Sequence, residues 1–230
     1  MLLLSFTGPI LGTNCYIVAT DDGRECVVVD PGIGLDERVD EVLAEYDLDP
    51  VAALVTHGHI DHTFALAQLC QRRDLPVYVH EADLYRFDDP IRTLGPDLAP
   101  MLAGLADDWT RPPDIRTFAD STPLHLAGIE LHALFAPGHT EGSTLYFVPR
   151  QDETTANLCF TGDVLFAGTI GRTDLPGGDD ALMRHTLGEL ARPESAGGLP
   201  DATTVLPGHG EPSTFGQERA TNPYLRDLRP

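Results

Sequence analysis

Between Leu54 and Leu66 the chain reads LVTHGHIDHTFAL, which sets His57, His59, Asp61 and His62 at the end of an apolar run. Imidazole nitrogens and carboxylate oxygens share one capacity, the offer of a lone pair to a proton or a cation. Burying several together without a common partner is costly, because each gives up its hydration. A metal ion serves them all at once. Three further stretches end in the same grammar: LFAPGHT, LCFTGD and TVLPGHG each close an apolar run with a glycine-containing turn that presents His139, Asp163 or His209. The combined set, five imidazoles and two carboxylates without a thiolate, suits Zn2+, Fe or Mn. Seven ligands exceed the shell of one ion, so the set is read as holding two divalent transition-metal ions, most simply Zn2+, with one aspartate shared. Such a pair leaves positions open for water and substrate and polarises a carbonyl or phosphoryl oxygen. Hydrolysis is the chemistry this predicts. A closed structural zinc site is the alternative, but those sites are usually rich in cysteine. The other histidines, His80, His125, His132 and His185, lie singly in strand or helix patterns and are expected to cap or fill core positions.

For ligands so far apart in the chain to meet, the runs that carry them must be strands whose ends converge on one crevice. Period-two and short apolar runs predict strands at NCYIVAT and ECVVVD, joined as a hairpin by DDGR. Apolar residues at helical spacing over 35–46 predict a helix that Asp49-Pro50 ends. VAALVT and PVYVH read as strands, 62–72 as a helix between them, and EADLYRF as a helical turn or two. This βαβα order implies a parallel sheet covered by helices. In the second half, PLHLAGIELHALFAP and STLYFVP read as antiparallel strands, ANLCFTGD and ATTVLPGHG as further strands, and 180–190 as a helix between the last two. The predicted architecture is α/β: one domain over 1–230, built from two packed sheets with helices outside. The proline-dotted segment 88–113 interrupts the pattern. As a lid it would lay Met101, Leu102, Leu105 and Trp109 over the metals; as a crossover it would pack on the core.

Hydrophobic residues make up 42% of the 230, ordinary for a globular protein. The formal net charge is -21 and every basic residue is an arginine. Such a surface repels phosphate backbones and anionic lipid, which argues against nucleic-acid and membrane-surface roles. Cys15, Cys26, Cys70 and Cys159 sit singly in apolar stretches and read as buried thiols in a reducing compartment. The start, MLLLSFTGPI, is short for a signal sequence and has no preceding positive charge. No apolar run approaches the ~20 residues of a membrane span. A cytoplasmic protein acting on a small molecule is the expectation.

THGHIDH resembles the HxHxDH signature of the metallo-β-lactamase superfamily. DPG at Asp30 to Gly32, PGHT at Pro137 to Thr140, TGD at Thr161 to Asp163 and PGHG at Pro207 to Gly210 follow in that superfamily's order, so the resemblance covers nearly the whole chain. It implies an αββα sandwich with a binuclear site. His57, His59 and His139 would hold the first metal, Asp61, His62 and His209 the second, with Asp163 bridging and Asp30 a structural residue beneath. Within the superfamily, GDVLFAGTIGRTDLPGGD and PGHGEPSTFGQERATNPYL look like the short, single-domain type II glyoxalases. The reaction this implies is hydrolysis of a hydroxyacyl thioester such as S-lactoylglutathione by a metal-bridging hydroxide, giving a hydroxy acid and a free thiol. Asp61 and Asp163 would be its catalytic carboxylates. Iron-dependent persulfide dioxygenases share a GRTD element and are the competing reading, with a hydrolase of another ester or lactone a third. Full-length type II glyoxalases grip glutathione through a C-terminal helical domain, whereas 21 residues follow His209 here, so no separate helical domain is expected. Arg172 lies where those glyoxalases place part of their thiol-substrate contact and is the candidate for a substrate carboxylate, against an internal pair with Asp174. Arg219 and Arg226 are weaker candidates, read as solvated or paired surface charges.

Overall fold

Alternate residues of the central strands enter different cores. In β2 (Asn14–Ala19), Cys15, Ile17 and Ala19 pack in one apolar cluster while Tyr16 and Val18 pack in another. β3 (Glu25–Val29) divides in the same way, with Cys26 and Val28 on one side and Val27 and Val29 on the other. Strands apolar on both faces belong in the middle of a layered structure. The computed structural model, which describes residues 1–153 and 155–228, shows those layers.

The first sheet has the order β1-β2-β3-β4-β5-β6, with β1 (Leu2–Thr7), β4 (Asp49–Leu54), β5 (Val77–His80) and β6 (Ile115–Phe118). β1 to β3 pair antiparallel and β3 to β6 parallel. The second sheet holds β7 (Thr122–Leu126), β8 (Ile129–Phe135), β9 (Thr144–Val148), β10 (Leu158–Gly162), β13 (Thr204–Pro207) and β14 (Ser213–Thr214), in the order β14-β13-β10-β9-β8-β7. A small hairpin, β11 (Leu165–Phe166) and β12 (Thr169–Ile170), follows β10. Between the sheets Val18, Val29 and Leu54 meet Leu131, Tyr146 and Phe160. Outside the first sheet lie α1 (Asp36–Glu45) and α3 (Leu66–Arg73), contributing Val39, Leu43 and Leu69. Outside the second lie α5 (Asp180–Ala191), α6 (Phe215–Thr221) and α7 (Pro223–Arg226), contributing Leu187, Phe215 and Leu225. This is the four-layer αββα sandwich, a mixed α/β fold.

Several elements differ from the sequence reading. The apolar start is the strand β1, paired along its length with β2. Pro50 lies inside β4, at a register irregularity opposite Cys26 and Val27, where a residue without an N–H is tolerated. The helix expected over 62–72 divides into α2 (Ile60–Thr63) and α3, because the Ala65 N–H is diverted to the Pro31 carbonyl. β6, β14, α6 and α7 are too short or too polar to register as periodic runs. His80 is buried and satisfied: Nε2 meets the Ala119 carbonyl at 2.7 Å, Nδ1 accepts from Ala82 N, and the ring stacks on Phe135. His125 and His185, by contrast, are exposed rather than core residues. All four cysteines are buried and free, and no described helix is long and apolar enough to cross a membrane.

Segment 88–113 contains α4 (Gly95–Leu102) flanked by single helical turns. Leu94 and Leu102 are buried against Ile33 and Ile60, and Trp109 packs beside Phe64 and Phe87 while its Nε1 donates to the Phe87 carbonyl at 3.1 Å. Met101 points to solvent, 62% exposed. The side chains of this segment that reach the ligand cluster are Leu94 and Leu98, rather than those expected from the sequence.

The two sheets approach closely at the edge that carries the ligands. Gly162 ends β10 at φ +48°, and a Cβ there would lie 2.4 Å from Thr56 Oγ1, just past β4. Gly162→Ala is expected to destabilise the fold by about 1–3 kcal/mol through overpacking and left-handed backbone. Gly104→Ala is the control, since a Cβ at Gly104 meets nothing within 4 Å. Chemical denaturation of both variants checks this.

Candidate metal centre

Every ligand-type residue follows the carboxyl end of a strand. His57 and His59 occupy the turn after β4, Asp61 and His62 the single turn of α2, and His139, Asp163 and His209 the turns after β8, β10 and β13. The structure brings all seven together. Three overlapping groups, His57 with His59 and His139, His57 with His62 and Asp163, and Asp61 with His62 and His209, each converge ligand atoms to within 4.8 Å of one another. Asp163 spans the cluster: its carboxylate is 3.4 Å from His62 Nε2, 3.5 Å from His209 Nε2 and 3.6 Å from His139 Nε2.

The outer nitrogens of four rings decide what the inner ones can do. A carbonyl only accepts, so His139 Nδ1 donates to the Arg172 carbonyl at 2.7 Å and His209 Nδ1 to the Leu11 carbonyl at 3.1 Å. Asp30, buried below, accepts from Thr56 N, from Thr56 Oγ1 and from His62 Nδ1 at 3.0 Å. With its own proton on Asp30, Thr56 Oγ1 accepts from His57 Nδ1 at 3.2 Å. Each of these imidazoles therefore turns its Nε2 inward, and once the inner proton is off it offers there the bare nitrogen a metal requires.

The inward groups lack partners of their own. His59 Nδ1 lies 3.0 Å from both His57 Nε2 and His139 Nε2, and one ring proton cannot satisfy three converging nitrogens. Burial, reinforced by the neighbouring imidazoles, pushes His57 and His59 well below the ordinary histidine range, so added protons do not resolve the contact. Asp163 Oδ1 is buried without a hydrogen bond. Burial also opposes charge on His62, yet Asp61, Asp163 and Asp30 outweigh it and hold its pKa up at about 10. The pocket thus requires positive charge at its carboxylate side and an electrophile at its imidazole side. A divalent transition metal supplies both, and the donor set, nitrogen and oxygen without sulfur, fits one.

The candidate substrate residues are less uniform. Arg172 lines the ligand cleft, but its guanidinium forms a two-point pair with Asp174 at 2.6 and 2.7 Å, both exposed, while its carbonyl orients His139. Arg219 is not a surface charge: it is buried and donates to the Leu190 and Leu199 carbonyls and to Asp201. Its neighbour Glu218, also buried, accepts from Gly168 N, Ser213 and Asn222, so the ER of the C-terminal motif is structural. Arg226 pairs with the adjacent Asp227 on the surface.

Two residues that the sequence reading passed over hold the ligand loops. Asp83 and Arg86, both fully buried on the helical turn after β5, form an ion pair at 3.2 Å. Asp83 accepts from Gly58 N in the His57–His59 turn and from Thr140 Oγ1 and Gly142 N beyond His139, while Arg86 reaches Glu141 and the Pro176 carbonyl. Their signal was an Asp and an Arg three apart in EADLYRF, at the same sheet edge as the ligands. Thr13 and Asn14 do the same elsewhere: Thr13 Oγ1 donates to Asp61, and Asn14 Nδ2 to the Pro207 and Gly210 carbonyls around His209. Asp83→Ala leaves buried Arg86 with Glu141 as its remaining carboxylate and removes the acceptor of three donors, and is expected to cost about 3–5 kcal/mol of stability. Denaturation at fixed metal content checks it, and an unchanged midpoint would remove Asp83 from this role.

Comparison with known proteins agrees with this geometry. The family model described as the Metallo-beta-lactamase superfamily matches residues 8–209. An uncharacterized protein of Mycobacterium tuberculosis is 38% identical over 99% of both chains. The probable metallo-hydrolase YqgX of Bacillus subtilis is 35% identical, covering 95% of this chain and 94% of its own. The hydroxyacylglutathione hydrolase GloC of Haemophilus influenzae is 34% identical over 92% of each. Among solved structures, the B3 metallo-beta-lactamase BLEG-1 superimposes with a TM-score of 0.78 at 32% identity, over 97% of this chain and 99% of its own. TTHA1623, in a di-iron-bound form, gives 0.77 at 36% identity, over 96% and 99%. A sandwich whose strand ends gather this ligand set, matched by the family over nearly all of its length, leaves one assignment: the chain belongs to the metallo-β-lactamase superfamily.

Proposed function

We propose that this chain is a metal-dependent thioester hydrolase. His57, His59 and His139 would hold one divalent transition-metal ion and Asp61, His62 and His209 a second, with Asp163 available to both. The observation that carries the reading is the set of inward lone pairs, each fixed by an outward hydrogen bond. Likeness to a hydroxyacylglutathione hydrolase over 92% of the chain, with the GRTDLPGG loop at the cleft, supports a thioester as substrate. Both zinc and iron suit the donors, and the di-iron neighbour supports iron as readily as zinc.

When bound, the metal pair supplies a water of lowered pKa and a Lewis acid for the carbonyl oxygen. The chain does the remaining work. Thr56, Asp30 and the carbonyls of Leu11 and Arg172 keep the ring nitrogens aimed inward, and Leu94, Leu98 and Leu175 line the cleft beside them. Water adds across the C–S bond to give a carboxylic acid and a thiol, and a thiolate leaves without a dedicated general acid. Arg172 stands at the rim, where a carboxylate of the thiol carrier can replace Asp174. The net charge of -21 supports a small molecule rather than nucleic acid as partner, and four buried free cysteines support a reducing compartment such as the cytoplasm.

Chelation is expected to abolish turnover of S-lactoylglutathione, and elemental analysis of active protein to find up to two Zn, Fe or Mn per chain. Asp163→Ala should lose more than about 100-fold in activity or metal affinity, judged against the smaller losses typical of residues behind a metal ligand. His185→Ala, remote and exposed, should change neither. Oxygen uptake with glutathione persulfide and no thioester turnover would instead support the dioxygenase reading, and hydrolysis of an oxygen ester or lactone alone the third. Arg172→Ala is expected to raise KM more than it lowers kcat, because a contact to the carrier contributes binding rather than chemistry. Steady-state kinetics on thioesters with and without a carboxylate-bearing carrier measure it.

A further inference from the structure

The wall of the metal cleft that holds no ligands is chemically one-sided. The cavity, about 260 Å³, is faced by Leu11, Leu94, Leu98, Phe166 and Leu175. They come from four separate parts of the chain: the β1–β2 loop, the start of α4, the β11–β12 hairpin and the loop before α5. Leu98 stands in the first turns of α4 and Leu94 ends the single helical turn before it, with Gly95 at φ +72° turning the chain between them. None of the five side chains can donate or accept a hydrogen bond, and the one polar side chain beside them outside the ligand set, Arg172, is held by Asp174.

Leu11 adds an independent observation. It sits at the mouth with 41% of its surface exposed, beside Ile10 at 39%. Its φ is +61°, a left-handed conformation that is unfavourable for any residue with a Cβ. Its carbonyl uses that conformation to accept from His209 Nδ1, and the same backbone holds the side chain over the cleft. A large apolar side chain kept exposed beside a reaction centre matches an apolar ligand.

We propose that this wall is an acyl-binding surface, and that the preferred substrates are thioesters of unbranched, apolar acyl groups rather than of 2-hydroxyacyl groups. The inference rests on the thioester reading above and narrows it. A site built to hydrogen-bond a substrate hydroxyl rejects analogues lacking it by orders of magnitude, whereas an apolar wall discriminates by buried methylenes. Here the wall offers a 2-hydroxyl nothing and a methylene chain five apolar side chains.

The test uses the metal-loaded full chain and one thiol carrying propanoyl, butanoyl, hexanoyl or lactoyl groups. We expect kcat/KM to rise about threefold per methylene from propanoyl until the cleft is filled, with propanoyl at least equal to lactoyl. Leu98→Gln should flatten the series; if that variant is unstable, Phe166→Ser probes the same surface from the β11–β12 hairpin. Calorimetric binding of propanoate, butanoate and hexanoate, the carboxylate products, reads the surface without turnover and should show the same rise. A flat or falling series, a lactoyl preference above tenfold, or a chain-length gradient untouched in both variants overturns the acyl wall while thioester hydrolysis stands. If no thioester is turned over, the hydrolase reading falls and the carboxylate series alone decides the surface: rising affinity sustains it, equal affinities remove it.

Discussion

Ring nitrogens with bare lone pairs repel when brought to 3.0 Å in a dry pocket, so imidazoles aimed at one another must be held from behind. The other features of this active edge follow from that constraint. Asp30 anchors two rings, His62 directly and His57 through Thr56, and takes φ +50° to do so. The remaining supports are main-chain carbonyls, of Leu11 and Arg172, whose positions depend on loop conformation. Residues that never touch a metal therefore determine whether one fits.

The loops need a frame stiffer than themselves. Two sheets packed face to face supply it, and the approach of Gly162 to Thr56 brings the strand ends to the distance at which the turns after β4 and β10 share ligands. The Asp83–Arg86 pair then ties the histidine turns across the crevice. A buried ion pair is a poor source of stability, since desolvation offsets most of the attraction. What it contributes here is position: one carboxylate with donors from two loops leaves little freedom to either.

The relatives share this fold and differ in what they are described as, including a hydroxyacylglutathione hydrolase and a B3 metallo-beta-lactamase. Substrate choice on a common fold belongs to the walls of the site. In this chain those walls are apolar side chains on loops beside the ligand-type turns, set in a strongly acidic surface. Metal ions held by the histidine and aspartate cluster would be the principal positive charge in this cleft.

The convergence of the seven histidines and aspartates, the layered α/β architecture and most strands were legible in the residues themselves, because they rest on local rules. Apolar period two marks a strand buried on both faces, and a histidine or aspartate in a glycine turn at its end has few other uses. The fate of the arginines was not legible: Arg219 lies on a helix pattern like any surface residue, and only the fold shows it buried against Leu190 and Leu199. Nor could the chain's order reveal that Leu94 and Leu98, rather than Met101 and Trp109, reach the cleft, or that Asp83 and Arg86 lace its loops. Local sequence carries propensity and periodicity. Which distant side chains share a dry pocket depends on how the sheets stack and where each loop lands, and that is settled only when the whole chain has packed.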